Sequence, residues 1–115
     1  MSNKYLNDLE EVEHIGLIKE TALKVWAKNV KFYKIKGINS PYPEFEWDIR
    51  LYNMFNIKLI YDRSILCIEV LTGEEYMELS RITDERIYHF FDSLKPENLL
   101  HNFQVLDRLL IKQMV

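Results

Sequence analysis

The sequence predicts an α+β domain: a small antiparallel sheet of about four strands, with one long N-terminal helix and two C-terminal helices. Three observations predict it. Apolar residues recur at helical spacing over the first 36 positions. Between residues 45 and 80 the pattern changes to short β-rich runs separated by turn residues. After Ile82 the helical period returns. Helices on either side of a block of strands are the pattern of an antiparallel sheet with helices packed on one face.

The opening segment places Ile15, Ile18, Ala22, Val25, Trp26, Phe32 and Tyr33 on one helical face, with Lys24, Lys28 and Lys31 opposite. Gly16 is the expected break within it, because an interior glycine weakens a helix by about 1 kcal/mol. Gly37 is the expected left-handed stop. Acids near the start and lysines near the end complement the helix dipole, which explains the lysine stripe as a solvated face. Pro41 and Pro43 forbid helix through residues 38–43 and mark a connection.

Phe45-Glu46-Trp47-Asp48-Ile49-Arg50-Leu51 alternates strictly, which favours a strand with one dry face. A helix starting at Pro43, with Phe45, Ile49 and Tyr52 on one side, is the competing expectation. Ile57-Lys58-Leu59-Ile60-Tyr61 is the second run. Ile65-Leu66-Cys67-Ile68-Glu69-Val70-Leu71 is the third and the most apolar, as expected of a central strand covered on both faces. Asp62-Arg63-Ser64 reads as a tight hairpin between them, and Gly73 supplies the positive φ of the next turn. Tyr76-Met77-Glu78-Leu79-Ser80 closes the sheet. Thr83 is then the N-cap of a short helix with Ile87, Phe90, Phe91 and Leu94 on its apolar stripe. Pro96 opens a last helix, with Leu99, Phe103, Leu106, Leu110 and Met114 along one face.

At 115 residues, with 48% hydrophobic content, the chain is long enough for a single domain over residues 1–115 with one core. The single cysteine, Cys67, forms no internal bridge and is expected buried in the third strand. No signal-peptide pattern and no long apolar run occur, so the expectation is a soluble cytoplasmic protein without membrane contact.

Catalytic chemistry finds little support in these residues. His14, His89 and His101 lack metal-ligand spacing, and His89 with Asp92 makes at most a local hydrogen bond. There is no nucleophile elbow, and three scattered glycines offer no phosphate cradle. Asp48, Asp62 and Glu69 would make a metal-dependent hydrolase only if their strands brought them together. No catalytic, cofactor-binding or metal-ligating residue is assigned, and no cofactor is expected.

Charge is the remaining clue. The net charge of −3 divides into +2 over residues 1–40 and −5 over residues 41–115. Glu69, Glu74, Glu75, Glu78, Asp84 and Glu85 fall within seventeen residues, interrupted by one base, Arg81. Such a surface keeps a protein soluble and guards an edge strand, or it meets a basic partner. Tyr52 and Tyr76 are the candidate aromatic anchors. The expectation is a non-enzymatic inhibitor, an immunity protein or antitoxin of bacterial or phage type, masking a basic, nuclease-like toxin. The alternative is a nucleic-acid-associated protein using residues 24–36 as a basic helix, though an acidic chain repels phosphate. An exposed edge strand also allows a homodimer.

Overall fold

Strong alternation in the middle of the chain sets the architecture. The structure is a computed structural model that describes residues 2–37 and 44–114, and side chains from residue 13 onward. Among the described residues five strands, not four, form one antiparallel meander. They are β1 (Val30–Gly37), β2 (Glu44–Leu51), β3 (Phe55–Asp62), β4 (Ile65–Thr72) and β5 (Glu75–Glu78), hydrogen-bonded in that order. Helix α1 (Ser2–Trp26) precedes the sheet, and a one-turn helix α2 (Leu79–Ile82) follows it. A 3-10 turn (Phe90–Leu94) leads into α3 (Pro96–Met114). The proline-rich connection at 38–43 lies outside the described residues.

β2, β3 and β4 bury alternate residues, so one face of the sheet is dry. Trp47 and Ile49 on β2, Leu59 and Tyr61 on β3, and Ile68 and Val70 on β4 join one core with Ile18, Ala22 and Trp26 of α1 and Leu99, Phe103, Leu106 and Leu110 of α3. The helices pack on each other over this face, with the Trp26 and Phe103 rings 5.0 Å apart. The other face, carrying Glu46, Asp48, Arg50, Lys58, Cys67 and Glu69, is only partly covered.

Several expectations are corrected here. The opening helix stops at Trp26, ten residues before Lys36, because Ala27 turns left-handed at φ 49°. Val30, Phe32 and Ile35 then point to the core as strand residues, so Phe32 and Tyr33 are not helical neighbours of Ile18, and Gly37 ends a strand. α1 runs through Gly16 without a break. After the sheet come a short helix, α2, and the long α3. The short helix expected from Thr83 to Leu94, however, is a 3-10 turn at Phe90–Leu94, and Thr83 is the C-cap of α2 rather than an N-cap. Its Oγ1 instead accepts from the Glu85 backbone N–H at 3.2 Å, a local turn. The last expected strand ends at Glu78, and Leu79 and Ser80 belong to α2.

β4 is dry on one face only. Cys67 lies on its other face, half-exposed rather than buried in the core. The competing helix over residues 45–52 does not form, and the favoured strand does. Arg63 and Ser64, at φ 49° and 70°, make the two-residue hairpin turn, and Gly73 takes φ 67°.

Candidate protein-binding surface

The acidic residues are best followed strand by strand. In the register, Asp48 opposes Lys58, Lys58 opposes Glu69, and Glu69 opposes Glu78. This row crosses the uncovered face and ends in two carboxylates directly opposite each other, an arrangement that costs stability. Lys58 reaches over the Tyr76 ring, 4.6 Å from its centroid, and makes no ion pair with Glu69. Glu74 lies in the turn, Glu75 and Glu78 are exposed on β5, and Tyr76 is 37% exposed between them. Among the described residues Glu69, Glu74, Glu75, Glu78 and Asp84 have no salt-bridge partner.

Glu85 differs. Arg108 of α3 donates from Nη2 to its Oε1 at 2.7 Å and from Nε to both oxygens at 3.1 Å. Those hydrogen bonds hold its carboxyl below the usual range. Tyr52 differs again: its hydroxyl donates to Asp107, tying the β2–β3 turn to α3. Asp48 and Glu69 stand on either side of Lys58, and Asp62 sits at the far end of β3 beside Arg63. Among the described residues no three His, Cys, Asp or Glu side chains are grouped to hold a metal ion.

Sequence reasoning missed the most conspicuous part of this surface. Phe90 and Phe91, expected on a core stripe, are each 72% exposed. They are held there by a polar scaffold. Asn102, buried on α3, accepts from the Tyr88 N–H at 2.8 Å and donates to the Tyr88 carbonyl at 2.9 Å. Buried Ser93 donates to the Phe90 carbonyl at 2.7 Å and accepts from the Leu66 N–H of β4 at 3.0 Å. His101 Nε2 lies 2.8 Å from the Arg86 carbonyl, and Asn98 donates to that of Asp92 at 3.0 Å. Phe90 itself sits at φ 55°, a conformation that disfavours a bulky residue.

A cleft of about 400 Å³ runs beside Phe90, with Glu85, His89 and Asp92 in its walls. A narrower one continues from Tyr88 and His89 to Glu78 and Cys67. The two share Ser80, Ile87, Tyr88 and His89, so the end of β5 and the Phe90 loop border one continuous surface. Compared with protein-family models, curated proteins and solved structures, the chain matches none. The site therefore has to be read from its own chemistry.

Burial pushes the Cys67 thiol up to about 11, reinforced by the Glu78 and Glu69 carboxylates. Its Sγ donates to Glu78 at 3.5 Å. A thiol so protonated is a poor nucleophile. Alkylation of Cys67 by iodoacetamide at pH 8 is expected to run roughly 100-fold slower than that of a free thiol, in proportion to the lost thiolate. Glu78→Gln is expected to speed it. A rate equal to that of glutathione would show that the Cys67–Glu78 contact does not form in solution.

No helix among the described residues is long and apolar enough to cross a membrane.

Proposed function

We propose that the protein is a non-enzymatic, cytoplasmic protein-binding inhibitor whose β5 edge and Phe90 loop together engage a basic partner. An immunity protein or antitoxin masking a nuclease-like toxin is the form that suits it best. The observation that carries this reading is the exposed Phe90–Phe91 pair, fixed on a hydrogen-bonded loop whose cleft, walled by the ion-paired Glu85 and Asp92, runs on to Glu78, which has no salt-bridge partner among the described residues. Aromatic anchors give affinity when they enter a partner's pocket, and a charged rim steers the encounter. The opposed Glu69 and Glu78 share only Lys58, across from Glu69, so a basic partner would relieve their repulsion.

The loop is also prepared for binding. Asn102 and Ser93 fix its backbone before a partner arrives, so little ordering entropy remains to be lost on association. The nucleic-acid alternative loses its structural basis, because residues 24–36 are a helix end, a 3-10 turn and a strand rather than one basic helix.

The test is affinity capture from the host cell with the tagged protein at low and high salt. The expected result is one strongly basic protein, released as salt rises and toxic when expressed without this chain. Glu74→Lys, Glu75→Lys and Glu78→Lys together should abolish its capture without lowering the melting temperature. Equal retention by the triple variant, or a retained protein of acidic charge, would remove the reading.

A further inference from the structure

The opposite edge of the sheet, on the same uncovered face, carries a second unbalanced cluster, of the other sign. Lys31 on β1 and Arg50 on β2 are register partners, so two cations lie directly across from each other on the uncovered face. Lys28, in the turn that follows α1, joins them around a cleft of about 370 Å³. Asn29, Asn53 and Tyr52 complete its polar walls, and no carboxylate lines it. Among the described residues none of the three cations has a salt-bridge partner. The Arg50 Nε is buried and has no hydrogen-bond partner at all.

The walls are fixed by backbone geometry. Tyr52 and Asn53 are left-handed at φ 55° and 56°, and Ala27 is left-handed at 49°. The Tyr52 N–H donates to the Asn29 carbonyl at 2.8 Å, joining the two loops that border the cleft. The Tyr52 hydroxyl is committed to Asp107, whose Oδ1 also accepts from Trp26, so that carboxylate is already occupied. Asp48, two residues from Arg50 on the same face, lines the neighbouring cleft and opposes Lys58 in register.

We propose that this cleft is a phosphate-binding site, taking the terminal phosphate dianion of a small molecule. Three cations exceed what one carboxylate needs, and a guanidinium beside two ammonium groups suits a tetrahedral oxyanion. A nucleic-acid backbone fits less well. Lys34 and Lys36 continue along β1, but they line a neighbouring cleft together with Asp48, and the face beyond carries Glu69 and Glu78, which repel a polyanion. Because these residues lie on other elements than Phe90 and Phe91, the site stands or falls independently of the partner surface.

Amide NMR spectra and thermal melts of the full chain test it with three probes: inorganic phosphate, a nucleoside 5′-monophosphate, and an oligonucleotide lacking terminal phosphates. Sodium chloride at matched ionic strength is the control. Phosphate or the monophosphate should raise the melting temperature and shift the amides of Asn29, Lys31, Arg50 and Asn53. Response to both marks the free anion as sufficient, and response to the monophosphate alone marks the attached group as part of the ligand. Lys31→Gln with Arg50→Gln should weaken binding at least tenfold, while melting no lower than the parent in phosphate-free buffer because two opposed cations are gone. Shifts reproduced by sodium chloride, an unchanged affinity in the double variant, or tighter binding of the oligonucleotide than of the monophosphate would each overturn the proposal.

Discussion

Asp107→Ala should be among the most destabilising single substitutions outside the apolar core, costing about 2–4 kcal/mol. Asp107 Oδ1 accepts from the Trp26 indole at 2.9 Å and from the Tyr52 hydroxyl, joining α1, the β2–β3 turn and α3 at one oxygen. Trp26 is 1% exposed, so its N–H has no access to water once the acceptor is removed. An orphaned buried donor costs about 1–3 kcal/mol, and here two donors lose one acceptor. Tyr52 adds to this, since its left-handed φ of 55° is held partly by that hydroxyl bond. For a chain of this size the loss should lower the melting temperature by roughly 8–15 °C. Asp107→Asn keeps an acceptor and should cost less, and Tyr52→Phe should fall between Asn and the parent. A melting temperature for Asp107→Ala within a few degrees of the parent would show that the three-element junction carries no weight.

The same junction gives the fold an alkaline limit. Burial, and then the hydrogen bond and charge of Asp107, push the Tyr52 phenol from 10.0 up to about 12. The folded state therefore holds this proton more tightly than the unfolded chain does. The stabilisation is complete below pH 10 and is lost as pH rises from 10 to 12. Cys67, raised from 9.0 to about 11, acts with the same sign between those values. Tyr52→Phe, with Cys67 unchanged, should remove the later part of the alkaline loss and leave the earlier part.

What the sequence made legible followed from local rules. β2 to β4 were readable because alternate residues such as Trp47, Ile49, Leu59 and Ile68 bury on one face, and Arg63-Ser64 and Gly73 mark the turns. α3 was readable from Pro96 and the spacing of Leu99, Phe103, Leu106 and Leu110. The change from α1 to β1 was not. No glycine or proline marks it, since Ala27 makes the left-handed turn, and Trp26 and Tyr33 happen to fall in helical phase. Val30, Phe32, Tyr33 and Ile35 carried the overlooked signal, a β-branched and aromatic run. β1 also bulges between Phe32 and Ile35, which breaks its alternation and frees the Tyr33 carbonyl for the Trp47 indole at 2.8 Å. The candidate surface was half legible. Its acids stood out, but their faces depended on a register that sequence does not display. The supports of the Phe90 loop, Asn102 and Ser93, act on residues 14 and 27 positions away.

Phe90→Ala with Phe91→Ala should reduce affinity for the proposed basic partner by about 100- to 1,000-fold, as loss of a central aromatic anchor does. The 3-10 turn carries both rings outward, each 72% exposed, so neither contributes to the core. Removing them should therefore change folding stability by no more than about 0.5 kcal/mol. Phe90→Gly sharpens the point, because glycine accepts φ 55° without strain and should raise stability by up to about 1 kcal/mol while still losing the anchor. Asn102→Ala separates the anchor from its support: it leaves the Tyr88 N–H and carbonyl without partners, so it should lower both stability and affinity. Reversal of Glu74, Glu75 and Glu78 should act mainly on the association rate and lose its effect at high salt. The phenylalanine double variant should act mainly on dissociation and keep its effect. A basic partner bound as tightly by the Phe90, Phe91 double variant as by the parent would show that these rings face solvent for another reason.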